Sequence, residues 1–106
     1  MKPPVPIPPA EMERGAGRAS EFLKTLSHET RLRILCFLLD GEKSVSQISA
    51  CLGLRQAAVS QQLQRLRAER LVTTRRQGKE IFYAIASAEV LSLMSVLNEI
   101  YCARRN

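Results

Sequence analysis

Side chains suited to reading DNA bases are concentrated in one helical segment, residues 56–67, of this 106-residue chain. Helical spacing puts Val59, Leu63 and Leu66 on one face of the segment and leaves glutamine, serine and arginine on the other. A glutamine amide can form two hydrogen bonds with adenine, and a guanidinium can bind guanine or phosphate. The candidate DNA contacts in and just before this helix are Arg55, Gln56, Ser60, Gln61, Gln64 and Arg65.

The helix that carries these residues is the second of a closely spaced pair. Residues 44–52 form the first helical pattern, and Ser44 can cap it with Gln47 as its capping-box partner. Gly53 ends this helix, because glycine accepts the left-handed conformation that a helix C-terminus often needs. The pair predicts a helix-turn-helix whose second helix enters the major groove. The alternative is an ordinary helical hairpin with a solvated polar face.

Positive charge is concentrated in and after the same segment. Residues 55–80 contain seven basic and two acidic side chains, so they carry +5 of the net charge of +6. Clustering of this kind is typical of nucleic-acid-binding proteins. The charge therefore favours a protein that binds DNA. The alternative is an interaction module of the winged-helix type that binds only other proteins.

Two β-prone runs follow the second helix and enclose the dipeptide Gln77-Gly78. They predict a hairpin over residues 71–85, with Arg75, Arg76 and Lys79 at its tip. Directly after a DNA-reading helix, such a hairpin is typical of a wing that reaches phosphates or the minor groove. The alternative for its arginines is a merely solvated loop.

The whole pattern predicts a mainly α (α+β) fold, a winged helix-turn-helix with about five helices and a two-stranded β-wing. All five prolines lie in residues 1–9, which predicts an extended N-terminal arm before a single domain at residues 10–106. Further helices are predicted at residues 10–26, from a Ser27 cap to Asp40, and at residues 88–104. The last helix has more apolar surface than a small domain usually covers, which predicts a homodimer.

Several classes of protein are disfavoured by what the sequence lacks. The chain has one histidine, no glycine-rich phosphate loop and no nucleophile beside an evident base, so an enzyme is not expected. No apolar run is long enough to span a bilayer, and no signal peptide is evident, so we expect a cytoplasmic protein that does not bind membranes. In that reducing compartment the three cysteines are expected to be thiols.

Three segments make the chain similar to the ArsR family of bacterial winged-helix repressors. They are LKTLSHETRLRILCFLL at 23–39, VSQQLQRLRAERLV at 59–72 and RRQGKEIFYAI at 75–85. The resemblance implies a homodimer, joined mainly through the first and last helices, that binds operator DNA and releases it when an inducer is sensed. Arg55 departs from the family pattern, because many relatives have a serine or threonine there that caps the second helix. Either the cap comes from elsewhere or Arg55 is kept for a phosphate.

Metal-sensing members of the family place their ligands in two positions, neither of which is matched here. Ser44 and Ser46 occupy the positions of the cysteine pair that precedes the second helix. Residues 88–104 contain no histidine, and we interpret the only histidine, His28, as structural. Transition metals need converging cysteine and histidine ligands, so no metal site and no cofactor are expected.

The cysteines point to another inducer. Cys36 in LRILCFLL and Cys102 in NEIYC match the cysteine pair of the sulfide- and persulfide-responsive branch of the family, which includes SqrR and BigR. In that branch reactive sulfur or an oxidant links two neighbouring thiols of one subunit and lowers DNA affinity. The resemblance implies Cys36 and Cys102 as sensor thiols and a persulfide or polysulfide as inducer, with a peroxide- or thiophilic-metal-sensing repressor as the alternative. Residue chemistry alone favours Cys36 and Cys102 as ordinary buried apolar core residues, and it predicts Cys51 as a small core residue as well.

Overall fold

The computed structural model describes residues 5–102, which form five helices and a small antiparallel sheet. The elements in chain order are α1 (Pro9–Leu26), α2 (Glu29–Phe37), β1 (Lys43–Ser44), α3 (Val45–Leu52), α4 (Gln56–Ala68), β2 (Val72–Gln77), β3 (Glu80–Ile85) and α5 (Ala88–Tyr101). This arrangement confirms the predicted winged helix-turn-helix. No helix within residues 5–102 has the length and hydropathy of a membrane span.

The first helix begins one residue earlier than predicted. Pro9 occupies its first position, where proline is well tolerated because that N–H has no partner inside the helix. Pro8 before it is extended. Residues 1–4 of the predicted arm, and residues 103–104 of the predicted last helix, lie outside the described residues.

The predicted cap of α2 is wrong. The Ser27 hydroxyl donates a hydrogen bond to the Lys24 carbonyl at 3.3 Å, so it belongs to the end of α1. His28 is the extended residue before α2, and its side chain makes no capping bond. Two residues, Ser27 and His28, therefore separate the end of α1 from the start of α2.

The end of α2 also differs from the prediction, which continued it to Asp40. The helix ends at Phe37, and the chain then tightens into hydrogen bonds spaced three residues apart. The Leu39 N–H donates to the Cys36 carbonyl at 3.2 Å in this way. Such bonds satisfy the last carbonyl groups of a helix while they end its regular geometry.

The wing is part of a three-stranded sheet with strand order β1-β3-β2. Its strands β2 and β3 pair from Val72 opposite Ile85 to Gln77 opposite Glu80. Gly78 in the turn has a φ of 64°, which favours glycine. The two-residue strand β1, opposite Tyr83 and Phe82, was not predicted, because two residues are too few to show a period.

The apolar face of α4 lies at the centre of the core. Val59, Leu63 and Leu66 are fully buried, as their spacing predicted. Burial of each such side chain stabilises the fold by about 1.5–3 kcal/mol. The core residues around them are Leu26, Ile34, Leu35, Leu38, Ile48, Leu71, Val72, Tyr83, Val90 and Met94. The opposite face of α4 consequently points away from the protein.

Candidate DNA-binding surface and thiol site

The helix-turn-helix is fixed by local hydrogen bonds. The Gln47 N–H donates to Ser44 Oγ at 3.2 Å and the Ser44 N–H donates to Gln47 Oε1 at 2.8 Å, which confirms the predicted capping box. Gly53 ends α3 with a φ of 68°, as predicted. The Ser49 hydroxyl donates to the Leu54 carbonyl across the turn. These bonds hold α4 at a defined angle to α3.

The beginning of α4 is open. Arg55 precedes the helix in an extended conformation, is exposed, and makes no side-chain capping bond. The Gln56 amide lies 3.4 Å from Ser46 Oγ instead of capping the helix. Among residues 5–102 no side chain therefore replaces the missing serine or threonine cap at the first N–H groups of α4. Such N–H groups attract phosphate.

The outward face of α4 carries the predicted glutamines and Arg65. Gln61, Gln64 and Arg65 are exposed, and Ser60 is half-buried. Ser60 and Gln64 line a shallow groove of about 360 Å³ together with Lys79 of the wing. The structure thus brings predicted contact residues of α4 and of the wing to one surface.

Gln62 belongs to the inner side of the same helix. It accepts a hydrogen bond at 2.9 Å from Arg31 Nε, and Arg31 also donates to the Thr25 carbonyl at 2.9 Å. This arginine fastens the end of α1 to the back of α4. Sequence reasoning missed the link, because its partners lie 31 residues apart.

The three basic residues of the wing differ in their surroundings. Lys79 lies in the turn, and Arg76 Nε donates to the Gly78 carbonyl at 3.3 Å. Arg75 lies further down the strand, opposite Phe82, and not at the tip where it was predicted. Its guanidinium is 2.5 Å from Glu42 Oε2 and 5.1 Å from the centre of the Phe82 ring.

The contact between Glu42 and Arg75 shifts the pKa of both groups. The hydrogen bond from Arg75 lowers the pKa of the Glu42 carboxyl, and the same bond raises the pKa of the arginine. The pair therefore stays charged at neutral pH. In the free protein the positive charge of Arg75 is matched by a carboxylate before any phosphate approaches.

Cys36 and Cys102 lie together in the wall of one cavity, although 66 residues separate them in the sequence. Cys36 is half-buried in α2, and its thiol donates to Asn98 Oδ1 at 3.2 Å. Burial raises the pKa of the Cys36 thiol, and the neighbouring Cys102 thiol raises it further. Cys102 follows the end of α5 and is exposed. Asn98 precedes Cys102 by four residues, so its place on the same face was readable from the sequence.

The cavity has a volume of about 570 Å³ and lies between α2, the end of α3 and α5. The basic residue in its lining is Arg33, whose Nη2 donates to the Leu52 carbonyl at 2.9 Å. Most of the other lining is apolar, from Leu32, Phe37, Leu52, Met94 and Leu97.

Cys51 was predicted to be buried, and this prediction is wrong. It is exposed on α3. The face of α3 that packs against the core is set by Ile48 and Leu52, and Cys51 lies about a quarter of a turn away from that face. Among residues 5–102 no three histidine, cysteine or acidic side chains are grouped to hold a metal ion.

The apolar side chains of α5 are divided between buried and exposed positions. Val90 and Met94 are buried, whereas Ile100 is 53% exposed. Leu91 and Val96 are also exposed. The helix therefore presents apolar surface that its own chain does not cover.

Comparison with known proteins identifies relatives of the whole unit. The family model described as "Bacterial regulatory protein, arsR family" matches residues 28–74. The transcriptional activator HlyU of Vibrio cholerae is 44% identical over 92 residues, which are 87% of this chain and 85% of that protein. The structure of the transcriptional repressor BigR from Xylella fastidiosa superposes with a TM-score of 0.83 and 40% identity, over 92% of this chain and 96% of that one. The homodimeric winged helix-turn-helix domain of Mb0332 from Mycobacterium bovis superposes with a TM-score of 0.71 and 28% identity, over 89% of this chain and 87% of that one.

Proposed function

We propose that this chain, which belongs to the ArsR family of bacterial regulatory proteins, binds operator DNA as a homodimer and is released when reactive sulfur links Cys36 to Cys102. Membership of the family makes it a transcriptional regulator and not an enzyme. The proximity of the two thiols in one cavity wall is the observation that carries the sensing part of the proposal.

The DNA-binding part rests on the exposed face of α4 and on the wing. Gln61 and Gln64 are assigned to base edges, since their amides are exposed on the outward face. The other assigned contacts, mainly to phosphate, are Arg55, Gln56, Ser60, Arg65, Arg75, Arg76 and Lys79. Among them Arg75 is assigned chiefly to holding the wing, because Glu42 already matches its charge.

The dimer part rests on α5. It leaves Leu91, Val96 and Ile100 exposed, and a second copy of the chain would cover part of this apolar surface. The related Mb0332 domain is described as homodimeric. A two-fold dimer presents two α4 helices to the two halves of a palindromic operator.

The two thiols have different parts in the proposed switch. Cys102 is exposed, so it meets the inducer first. Cys36 is half-buried and its pKa is raised, so it stays protonated at neutral pH and reacts second, on the modified Cys102. The resulting bridge is either a disulfide or a longer chain with inserted sulfur.

The bridge joins α2, which lies in the core, to the end of α5, which carries the exposed dimer surface. Joining them changes how each α4 is held relative to its copy in the dimer. A misfit of about 3 kcal/mol between the two helices and the operator lowers affinity by roughly 10². A small shift of α5 is therefore sufficient for release.

The test uses cysteine variants and an operator selected by the protein from random duplexes. Cys36→Ser and Cys102→Ser should each bind the operator like the wild type, yet stay bound when persulfide is added. Cys51→Ser is the matched control and should respond fully, because its thiol lies outside the cavity. Release of the operator from the doubly substituted Cys36/Cys102 variant by persulfide would refute the proposed switch.

The main alternative keeps the dithiol and changes the inducer to a peroxide or a thiophilic metal. Mass spectrometry of the protein after exposure to each compound distinguishes a direct disulfide, a bridge with inserted sulfur and a metal adduct. Outside this class, a protein-interaction module that does not bind DNA would leave random duplex unshifted in a gel at low salt.

A further inference from the structure

We propose that the cavity beside the two thiols binds the organic group of the inducer, so that the preferred sulfur donor is a persulfide with an apolar substituent. This inference rests on the function proposed above. It adds the chemical class of the inducer, which the presence of two thiols does not specify.

The cavity resembles a small-molecule site in size and lining. Its volume of about 570 Å³ falls in the range of about 300–1,000 Å³ that is usual for ligand sites. Its walls are mostly apolar, and few polar groups converge on it, which is also typical of such sites. The side chains in the lining that carry polar groups are Cys36, Cys102, Asn98, Arg33, Glu29 and Tyr101. An inorganic persulfide has no group that such walls would bind.

The thiols are part of the wall, so a molecule that fills the cavity is held against them. Cys36 is fixed by its hydrogen bond to Asn98, and Cys102 lies beside the largely exposed Tyr101 at the open side. A donor whose organic group lies among Leu32, Phe37 and Leu97 would present its sulfur atoms to Cys102. Holding a reactant beside its target in this way accelerates the reaction between them.

The chemistry needs no further oxidant. The Cys102 thiolate, after losing its proton to solvent, attacks the outer sulfur of the donor R–S–SH. The S–S bond of the donor breaks, Cys102–S–SH forms, and R–S⁻ leaves and takes up a proton. The Cys36 thiolate then attacks the inner sulfur of that persulfide and expels HS⁻. Two thiols are oxidised to a disulfide, and the sulfane sulfur is reduced to hydrogen sulfide.

The test compares benzyl persulfide with inorganic hydrogen disulfide at equal concentration. Loss of the free Cys102 thiol gives the rate of the first step, the only step in which the donor takes part. One aromatic ring moved from water into the cavity should make this step about 10- to 100-fold faster with the benzyl donor. The intrinsic reactivity of the two donors is measured on the exposed Cys51 of the Cys36→Ser/Cys102→Ser protein, as the ratio of its rates with the benzyl and the inorganic donor. The same ratio of rates for the wild type is then divided by this reference ratio.

Cavity variants then locate the effect. Leu97→Phe fills the cavity and should remove most of the preference for the benzyl donor. Leu93→Phe is the matched control on α5, since Leu93 is also half-buried but does not line the cavity, and it should keep the preference. Operator binding by the reduced variants verifies that both are folded. A further variant, Leu97→Ala, enlarges the cavity and should keep the preference for the benzyl donor.

Two results would overturn the inference. One is equal corrected rates for the two donors in the wild type. The other is a benzyl preference that survives both Leu97→Phe and the larger Leu97→Trp in folded protein. Either result leaves the dithiol switch standing, whereas persulfide release from the Cys36→Ser/Cys102→Ser protein would remove the switch itself, so the two failures are distinguishable.

Discussion

Arg75 provides a quantitative test of how the wing meets DNA. Its guanidinium is held by Glu42 and lies over Phe82, so in the free protein it is not available to neutralise a phosphate, and its removal should cost no phosphate contact. Arg76 and Lys79 have no such acidic partner among residues 5–102. Arg75→Ala and Arg76→Ala, although adjacent substitutions of the same type, should therefore affect DNA binding differently.

The size of the difference follows from counterion release. Each phosphate neutralised on duplex DNA contributes about 0.9 to the slope of log affinity against log salt. A dimer has two wings, so losing one phosphate contact per wing lowers the slope by about 1.8. Between about 50 and about 200 mM salt, that change makes the loss of affinity roughly 10-fold smaller. We expect this effect for Arg76→Ala and a much smaller one for Arg75→Ala.

Glu42→Gln gives the reverse perturbation. The substitution removes the carboxylate that matches Arg75, so the arginine becomes available to a phosphate and the slope should steepen by up to about 1.8. The wild-type pair persists at neutral pH because Arg75 lowers the pKa of Glu42, and it is lost only as the pH falls through that lowered value.

Fluorescence anisotropy with a random-sequence duplex, titrated over this salt range, measures all three slopes. Lys24→Ala is the control, because Lys24 is an exposed cation on α1 and makes only a long contact of 3.9 Å with Glu21. An equal flattening of the slope by Arg75→Ala and Arg76→Ala would contradict the expected difference between the two residues. That outcome would mean that Arg75 leaves Glu42 for a phosphate when DNA binds.

Three other expectations concern the cap, the thiols and metals. Ser44→Ala removes the α3 cap and should lower the free energy of unfolding by about 1 kcal/mol, whereas the exposed Ser46→Ala should leave the urea midpoint unchanged. Linkage of Cys36 to Cys102 should accelerate about tenfold per pH unit, because the raised pKa of Cys36 keeps its thiolate scarce until the pH passes that value; a rate that levels off below neutral pH would contradict this. Stoichiometric zinc, cadmium or nickel should not release the operator in a gel shift, and zinc binding tighter than about micromolar in the cysteine-free protein would reveal a site that we have missed.

The helix-turn-helix could be predicted from the sequence because its signals are local. Ser44 and Gln47 cap α3 across three residues, and Gly53 ends it. The periodic burial of Val59 and Leu63 needs no knowledge of distant segments. Local signals of this kind determine the ends and the inner faces of helices, which is why the predicted α3 and α4 agree with the structure.

The features that were missed depend on contacts between distant segments. The strand β1 exists only through its pairing with β3, about forty residues later in the chain. The attachment of Arg75 to Glu42 spans 33 residues and could not be inferred from the basic run alone. Cys51 was misplaced because a short helix can turn either of two apolar sides to the core, and only packing against α2 and α4 decides between them.

The thiol site shows the same limit. Nothing in the spacing of Cys36 and Cys102 requires them to meet, and only the resemblance to a family paired them before the structure was known. Their proximity results from the packing of α5 against α2, in which Asn98 receives the Cys36 hydrogen bond. Residue chemistry alone described each cysteine separately and could not describe the cavity between them.

The helix α5 takes part in both halves of the proposed switch, the thiol pair and the dimer surface. The cellular concentration of the protein therefore bears on its proposed response to the inducer. One side holds Asn98 and leads to Cys102, while Val96 and Ile100, four residues apart, are exposed on the other side. Thermodynamic linkage is reciprocal: if the bridge weakens the dimer by some factor, dimer formation disfavours the bridge by the same factor. Under the proposed switch and by mass action, a cell with more of this protein would hold more of it as dimer and would need more inducer for the same response.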